Sequence, residues 1–219
     1  MPPTLKLVKP NFESYSIAVS VAGPEFVFLG EHPALDFANT LYAPHGDLED
    51  QLRSWADLVK WLQQANLSDG TGLDATKAEA DAAVEAVVAL RTGWAKQIAG
   101  ILEGKPVDRG FLRTLNAILA KDLFSEAVIA EAGGAFLLQR SESALLGGER
   151  ALATLARQIA KFLAECNHDY LRQCAGPGCV LYFYDTTKNH RRQWCSAAAC
   201  GNRHKVAAFR ERQAKRQGG

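Results

Sequence analysis

The first 165 residues of this 219-residue chain contain no cysteine, so any thiol chemistry is confined to residues 166–219. Nowhere is there an apolar run of about 18 residues, which excludes a transmembrane helix. The opening stretch carries Lys6 and Lys9 but no sustained apolar segment. A signal peptide is therefore not expected, and a cytoplasmic location with reduced thiols is. No P-loop, dinucleotide-type glycine pattern or Ser–His–Asp arrangement can be read. An enzyme is the least supported class, and the expectation is a non-enzyme. Internal repeats and low-complexity segments are also lacking. What is present is ordinary for a globular protein, with 47% apolar and 22% charged residues, and wholesale disorder is excluded.

The formal net charge of +1 conceals a division. Residues 170–219 hold ten Lys and Arg against Asp185 and Glu211, a balance of +8, which leaves −7 on the remainder. The five cysteines, at 166, 174, 179, 195 and 200, fall in or beside the basic segment. Two modules with different partners are expected.

Periodicity gives the first module a helical character. Residues 14–29 read as extended, with Ile17, Val19 and Val21 alternating and a turn at Gly23-Pro24, so a hairpin is plausible there. Leu35, Ala38 and Tyr42 share a face of a short helix. Ser54 can cap a second helix carrying Trp55, Leu58, Val59 and Leu62 at helical spacing. A long helix is expected from Asp74 to Glu103, with the stripe Val84, Val87, Val88, Trp94, Ala95, Ile98 and Leu102. Pro106 can open the next, which carries Phe111, Leu115, Ile118 and Leu119. Residues 128–138, folded about Gly133-Gly134, read as a hairpin. A last helix runs from Glu149 to about Asn167, with Leu152, Leu155, Ile159, Phe162 and Cys166 in phase. The fold class expected is mainly α. A helical N-terminal domain with one or two small β-hairpins precedes a small C-terminal four-cysteine finger of ββα-like form. The boundaries are 1–25 for an N-terminal extension, 26–170 for the helical domain and 171–219 for the finger.

The strongest chemical signal is Cys174-x4-Cys179 followed, after fifteen residues, by Cys195-x4-Cys200. Two close thiol pairs on either side of a short strand, Leu181-Tyr182-Phe183-Tyr184, suit one tetrahedral Zn²⁺. Gly176-Pro177-Gly178 supplies the turn inside the first pair. Two disulfides are the competing reading and fit poorly with reduced thiols. His190 and His204 are alternative ligands. With four thiolates no coordination position stays open, so the ion is expected to be structural. Cys166 lies on an apolar helix stripe and reads as a free core thiol.

These residues carry a resemblance. Cys195-Ser196-x3-Cys200-Gly201-Asn202-Arg203, preceded by Arg191-Arg192-x-Trp194 and by Phe183-x-Asp185-x-Thr187, is similar to the CGNR zinc-finger family over about 172–210. Leu35-Asp36-Phe37-Ala38-Asn39-Thr40-Leu41 and Leu90-Arg91 resemble the ABATE domain that usually precedes this finger. The resemblance implies a stress-induced transcription regulator and hence DNA binding.

The residues point the same way. A basic helix from about Ala197 to Arg216 places Val206 and Phe209 toward the zinc knuckles and offers cations on its other faces. The candidate nucleic-acid contacts are Arg191, Arg192, Arg203, Lys205, Arg210, Arg212, Lys215 and Arg216. Trp194, Tyr182 and Tyr184 could stack on bases or serve the finger's own core. The runner-up is a protein-interaction module whose basic finger docks an acidic partner. One finger is a small footprint, so specific recognition is expected to need a homodimer or a helper.

In the acidic domain Arg91 falls at the centre of an apolar stripe, where an unpaired guanidinium is costly. Asp36, Asn39 and Thr40 share a polar helix face. Asp36 is the expected partner of Arg91, as a structural bridge, with Asn39 or Thr40 as the alternatives within hydrogen-bond reach. Alternatively Asp36, Asn39, Thr40 and Arg91 line a pocket for a small anionic effector.

Overall fold

The computed structural model describes residues 26–43, 47–123, 126–130, 135–140 and 144–217. The hairpin expected at 14–29 lies outside these residues but for 26–29, which form neither helix nor strand. Phe26 is buried, and Phe28 stacks on Trp61.

Among the described residues the architecture is mainly helical, with three small two-stranded sheets. Helix α1 (Pro33–Ala38) leads to the short hairpin β1 (Leu41–Tyr42) and β2 (Glu49–Asp50). Helices α2 (Trp55–Gln64), α3 (Lys77–Leu102) and α4 (Arg109–Leu119) come next, then the hairpin β3 (Glu126–Ala130) and β4 (Phe136–Arg140). Helix α5 (Gly147–Glu165) closes the helical part. The chain then forms a further small hairpin, β5 (Leu171–Gln173) and β6 (Tyr182–Tyr184), a π-helical turn (Ala197–Gly201) and helix α6 (Asn202–Gln217).

Local chemistry explains most of the helix starts. Ser54 accepts from the Asp57 N–H at the head of α2. Thr76 and Glu79 form a reciprocal capping box at the head of α3. Asp108 accepts from the Phe111 N–H, so α4 begins at Arg109 rather than at Pro106. Tyr42 is not on the first helix, which stops at Ala38 and turns through Asn39 into β1.

The long helix buries Ala80, Ala83, Val87, Leu90, Arg91, Trp94 and Ile98. This stripe is rotated from the expected one: Val84 and Val88 lie at its margin and Leu102 is exposed. The reason is that α3 packs on α1, α2 and α5 at once, which widens its buried face around Arg91. At the centre of the core Phe162 of α5 meets Trp94 edge-on, and the Trp94 indole N–H donates to the Ala34 carbonyl at 2.8 Å. Cys166 is half-buried against this core, and burial pushes its thiol up to about 11.

Candidate zinc centre and the surface around it

The finger is joined to the helical domain by side chains of the α1 region. Asn39 donates from Nδ2 to the Tyr182 carbonyl at 2.8 Å and accepts the Tyr182 N–H on Oδ1 at 2.9 Å. Its amide thus pairs with both backbone polar groups of Tyr182 in β6. The Tyr184 N–H donates to the Gly30 carbonyl at 2.9 Å. Gly30 in turn donates its N–H to Asp36 Oδ1 at 2.7 Å. A Cβ at Gly30 would lie 2.8 Å from both the Asp36 nitrogen and Leu35 Cβ, so only glycine fits there. Leu171 and Tyr184 belong to the main core, and Tyr182 packs against it. Both tyrosines are therefore packing residues on the helical domain. Phe183, which points to the opposite face of β6, enters the small core around the cysteines.

That core holds the thiols. Cys174 lies just after β5, and Cys179 just after the 176–178 turn, where its N–H donates to the Gly176 carbonyl. Cys195 precedes the π-turn, whose N-cap Ser196 accepts from the Ala199 N–H, and Cys200 lies within it. The four Sγ atoms lie within 4.8 Å of one another. Cys179–Cys195 and Cys195–Cys200 are 3.9 and 3.6 Å apart. Thiolates held about 2.3 Å from one tetrahedral ion would be separated by about 3.8 Å. No disulfide links them.

The electrostatics also call for a cation. Burial raises the Cys174 thiol, but the N–H groups of Cys195 and Gly176 outweigh that and bring it below the usual range. Cys179 is pushed up to about 11, first by burial and then by neighbouring thiols. Cys195 is raised further, for the same reasons. Four adjacent thiols cannot all ionise unaided, and a divalent ion removes that obstacle. The four cysteines fit one structural zinc ion, with no place left for substrate. Gly176 belongs to this fit, since a Cβ there would come 3.2 Å from Cys200 Cβ and 3.3 Å from its sulfur. Neither histidine joins the cluster. His190 stacks on Tyr170 with ring centroids 3.6 Å apart, and His204 sits beside Trp194.

Asp185, not among the expected site residues, organises the loop before Cys195. It is fully buried. Its carboxylate accepts from the Thr187 N–H and hydroxyl and from the Arg192 N–H. Burial would raise its pKa, but these bonds prevail and hold it below the usual carboxylate range. The signal was Asp185-x-Thr187, a local side-chain turn.

The basic residues sort into two groups. Arg192 is engaged by the protein: it donates to the Trp194 and Cys195 carbonyls, pairs with Glu31 at 2.7 Å and covers the Phe183 ring. Arg203 places Nη2 3.6 Å from Cys200 Sγ, where its charge offsets the thiolates. Arg191, Lys205, Arg210 and Arg212 are exposed. The side chains of Lys215 and Arg216 lie outside the described residues. Val206 and Phe209, expected against the zinc knuckles, are exposed by 48% and 55% because α6 extends away from its π-turn. A shallow recess of about 380 Å³ beside the finger is lined by Arg172, Arg191, Arg192, Gln173, Gln193 and Ala175, with no acidic side chain.

Arg91 does not meet Asp36. Its guanidinium grips Asp50 through two bonds of 2.7 and 2.5 Å and donates to Thr40 Oγ1 at 2.9 Å. Asp50 reaches it because β2 pairs with β1, with Asp50 opposite Leu41. Asp36 is instead held by Gly30 and Asn39 by Tyr182, so the four residues expected to line one pocket serve three separate joints. Burial pushes the Asp36 carboxyl up to about 7.

The fold and the site thus define a four-cysteine zinc finger built onto a helical domain. Residues 170–213 match the family model of the CGNR zinc finger. Residues 31–165 match that of ABATE, described as "putative stress-induced transcription regulator", and the chain belongs to this family. No curated protein matches the chain. Among the described residues no helix is long and apolar enough to cross a membrane.

Proposed function

We propose that this protein is a DNA-binding regulator that contacts duplex DNA through the basic surface of its zinc finger. The observation that carries the reading is α6, a helix whose described side chains from 202 to 207, and at 209, 210 and 212, are exposed, with Arg203, Lys205, Arg210 and Arg212 among them. A cationic helix standing clear of its own core can enter a groove, where Arg and Lys meet phosphates or guanine edges. Arg191 and Arg172, at the recess beside the finger, extend the surface. The acidic helical domain is unsuited to this role by charge. Arg192 serves the finger's own architecture, and the cluster around Arg91 braces the helical domain.

The test is a titration of zinc-loaded protein with duplex DNA at several salt concentrations. If about five cations meet phosphates, log K should fall with log salt at a slope near −4 to −5. Lys205→Ala, Arg210→Ala and Arg212→Ala should each flatten the slope by about one. Absence of binding at low salt would reject the reading. The exposed Val206 and Phe209 favour a second one, in which the same helix docks an acidic protein partner.

A further inference from the structure

Helix α6 carries two exposed apolar side chains between flanking cations. Val206 and Phe209 are three residues apart and share one face of the helix. Arg210, four residues after Val206, flanks that face on one side. Lys205 and Arg212, four residues before and three after Phe209, flank it on the other. All five side chains are exposed. A groove of about 600 Å³ between the starts of α3 and α5 has the complementary pattern. Its floor is apolar and includes Ala83, Leu146 and Leu152. A Cβ at Gly148 would collide with Ala83 Cβ, so the two helices meet there and close the floor. Asp74 and Glu79 stand on the α3 side and Glu149 on the α5 side, all three exposed. Among the described residues no basic side chain lines the groove. Glu149 pairs with Lys121 at 2.9 Å in an exposed bridge, which a second cation can share.

We propose that α6 of one copy of the chain docks in this groove of a second copy, with its apolar face on the floor and its cations against the acidic walls. Three observations select this occupant. The order across the helix, cation–apolar–cation, matches the order across the groove, acid–apolar–acid, as helix-in-groove recognition requires. The groove's own α6 is not its occupant. That helix packs on the π-turn before it with its described side chains exposed, and the finger's hairpin is fastened to the helical domain through Asn39 and Gly30. The charge division sets the direction of approach: residues 170–219 carry +8 and the remainder −7, so the finger of one copy is drawn to the helical domain of the other. Reciprocal docking of both helices closes a dimer. A docked α6 is withdrawn from any polyanion, so the contact would restrain the finger. The proposal names the acidic partner of the second reading given above, while the DNA reading stands or falls by its own titration.

Sedimentation velocity on the zinc-loaded full chain, without nucleic acid, tests this. A species of about 48 kDa, twice the 23.8-kDa chain, is expected at low salt, with association weakened at least tenfold at high salt. Val206→Glu/Phe209→Glu spoils the helix, and Asp74→Lys/Leu146→Lys spoils the groove. All four positions are exposed, so each variant should keep the parent's circular dichroism. Each alone should associate at least 100-fold more weakly than the parent. Mixed in equal amounts they should form a complex again, since one supplies an intact groove and the other an intact helix. A monomeric parent overturns the proposal. So does a mixture no more associated than its components, or a groove variant that associates like the parent.

Discussion

Replacing Asn39 by alanine removes two of the bonds that fasten β6 to the helical domain and leaves the one from the Tyr184 N–H to the Gly30 carbonyl. Asn39 is 1% exposed, while Tyr182 is half-buried, so water reaches the abandoned backbone groups only in part. An orphaned buried backbone group costs about 1–3 kcal/mol, and two orphans with partial hydration give a loss of about 2–4 kcal/mol. The loss should be shared with the metal site, because the same hairpin carries Cys174 on its β5 side. Two measurements read it: urea unfolding of the zinc-loaded protein, and the rate of zinc transfer to a chromogenic chelator. The variant should unfold at lower urea and release zinc faster. Asn39→Asp sharpens the test. Its carboxylate can still accept the Tyr182 N–H but confronts the Tyr182 carbonyl, so it should be at least as harmful as alanine above pH 5. A loss below about 0.5 kcal/mol with unchanged zinc release, or an aspartate as stable as the parent, would refute the clamp.

Asp50→Ala should destabilise by about 2–3 kcal/mol, less than the about 3–5 kcal/mol for a fully buried pair, since the Asp50 side chain is 33% exposed. Arg91→Met/Asp50→Ala should recover part of that, as a thermodynamic cycle would show. Arg91 holds the Asp50 carboxyl below its usual range despite burial. Its stabilisation is therefore present above the unfolded pKa near 4 and lost as pH falls through the lower folded value. Asp36 acts in the opposite sense. With its folded pKa near 7 the native state keeps a proton that the unfolded chain has released, so stability should fall from about pH 4 to 7, by at most about 1.4 kcal/mol per pH unit. Asp36→Asn keeps an acceptor for the Gly30 N–H and should flatten that slope; an unchanged profile would reject it. Cys195→Ser should lower zinc content measured by elemental analysis. It should also lower the unfolding midpoint of the helical domain, because Leu171 and Tyr184 of the finger's hairpin sit in the main core.

Several features were legible in the sequence because their causes are local. The Cys-x4-Cys pairs, the Ser54 cap and the helical spacing in α2 and α5 each depend on residues within a few positions of one another. Arg91 could also be placed on a buried face by periodicity alone, since that face is set within one helix. Its hydrogen bond to Thr40 was among those expected, but its ion-pair partner was not. Asp50 lies 41 residues away and arrives through a two-residue ladder too short to leave a pattern. Asp36 was the candidate because it shares a polar helix face with Asn39 and Thr40, but a glycine six residues before it has the stronger claim on its carboxylate. The same holds for Asn39, which reaches across 143 residues to Tyr182, and for Arg192, whose charge suggested a phosphate contact and whose guanidinium meets Glu31, 161 residues earlier. The sequence by itself determined the helices, the zinc ligands and the division of charge. The tertiary structure alone decided which polar groups are joints and which are free surface. That choice depends on what each side chain meets when distant elements come together, and residue type carries no record of it.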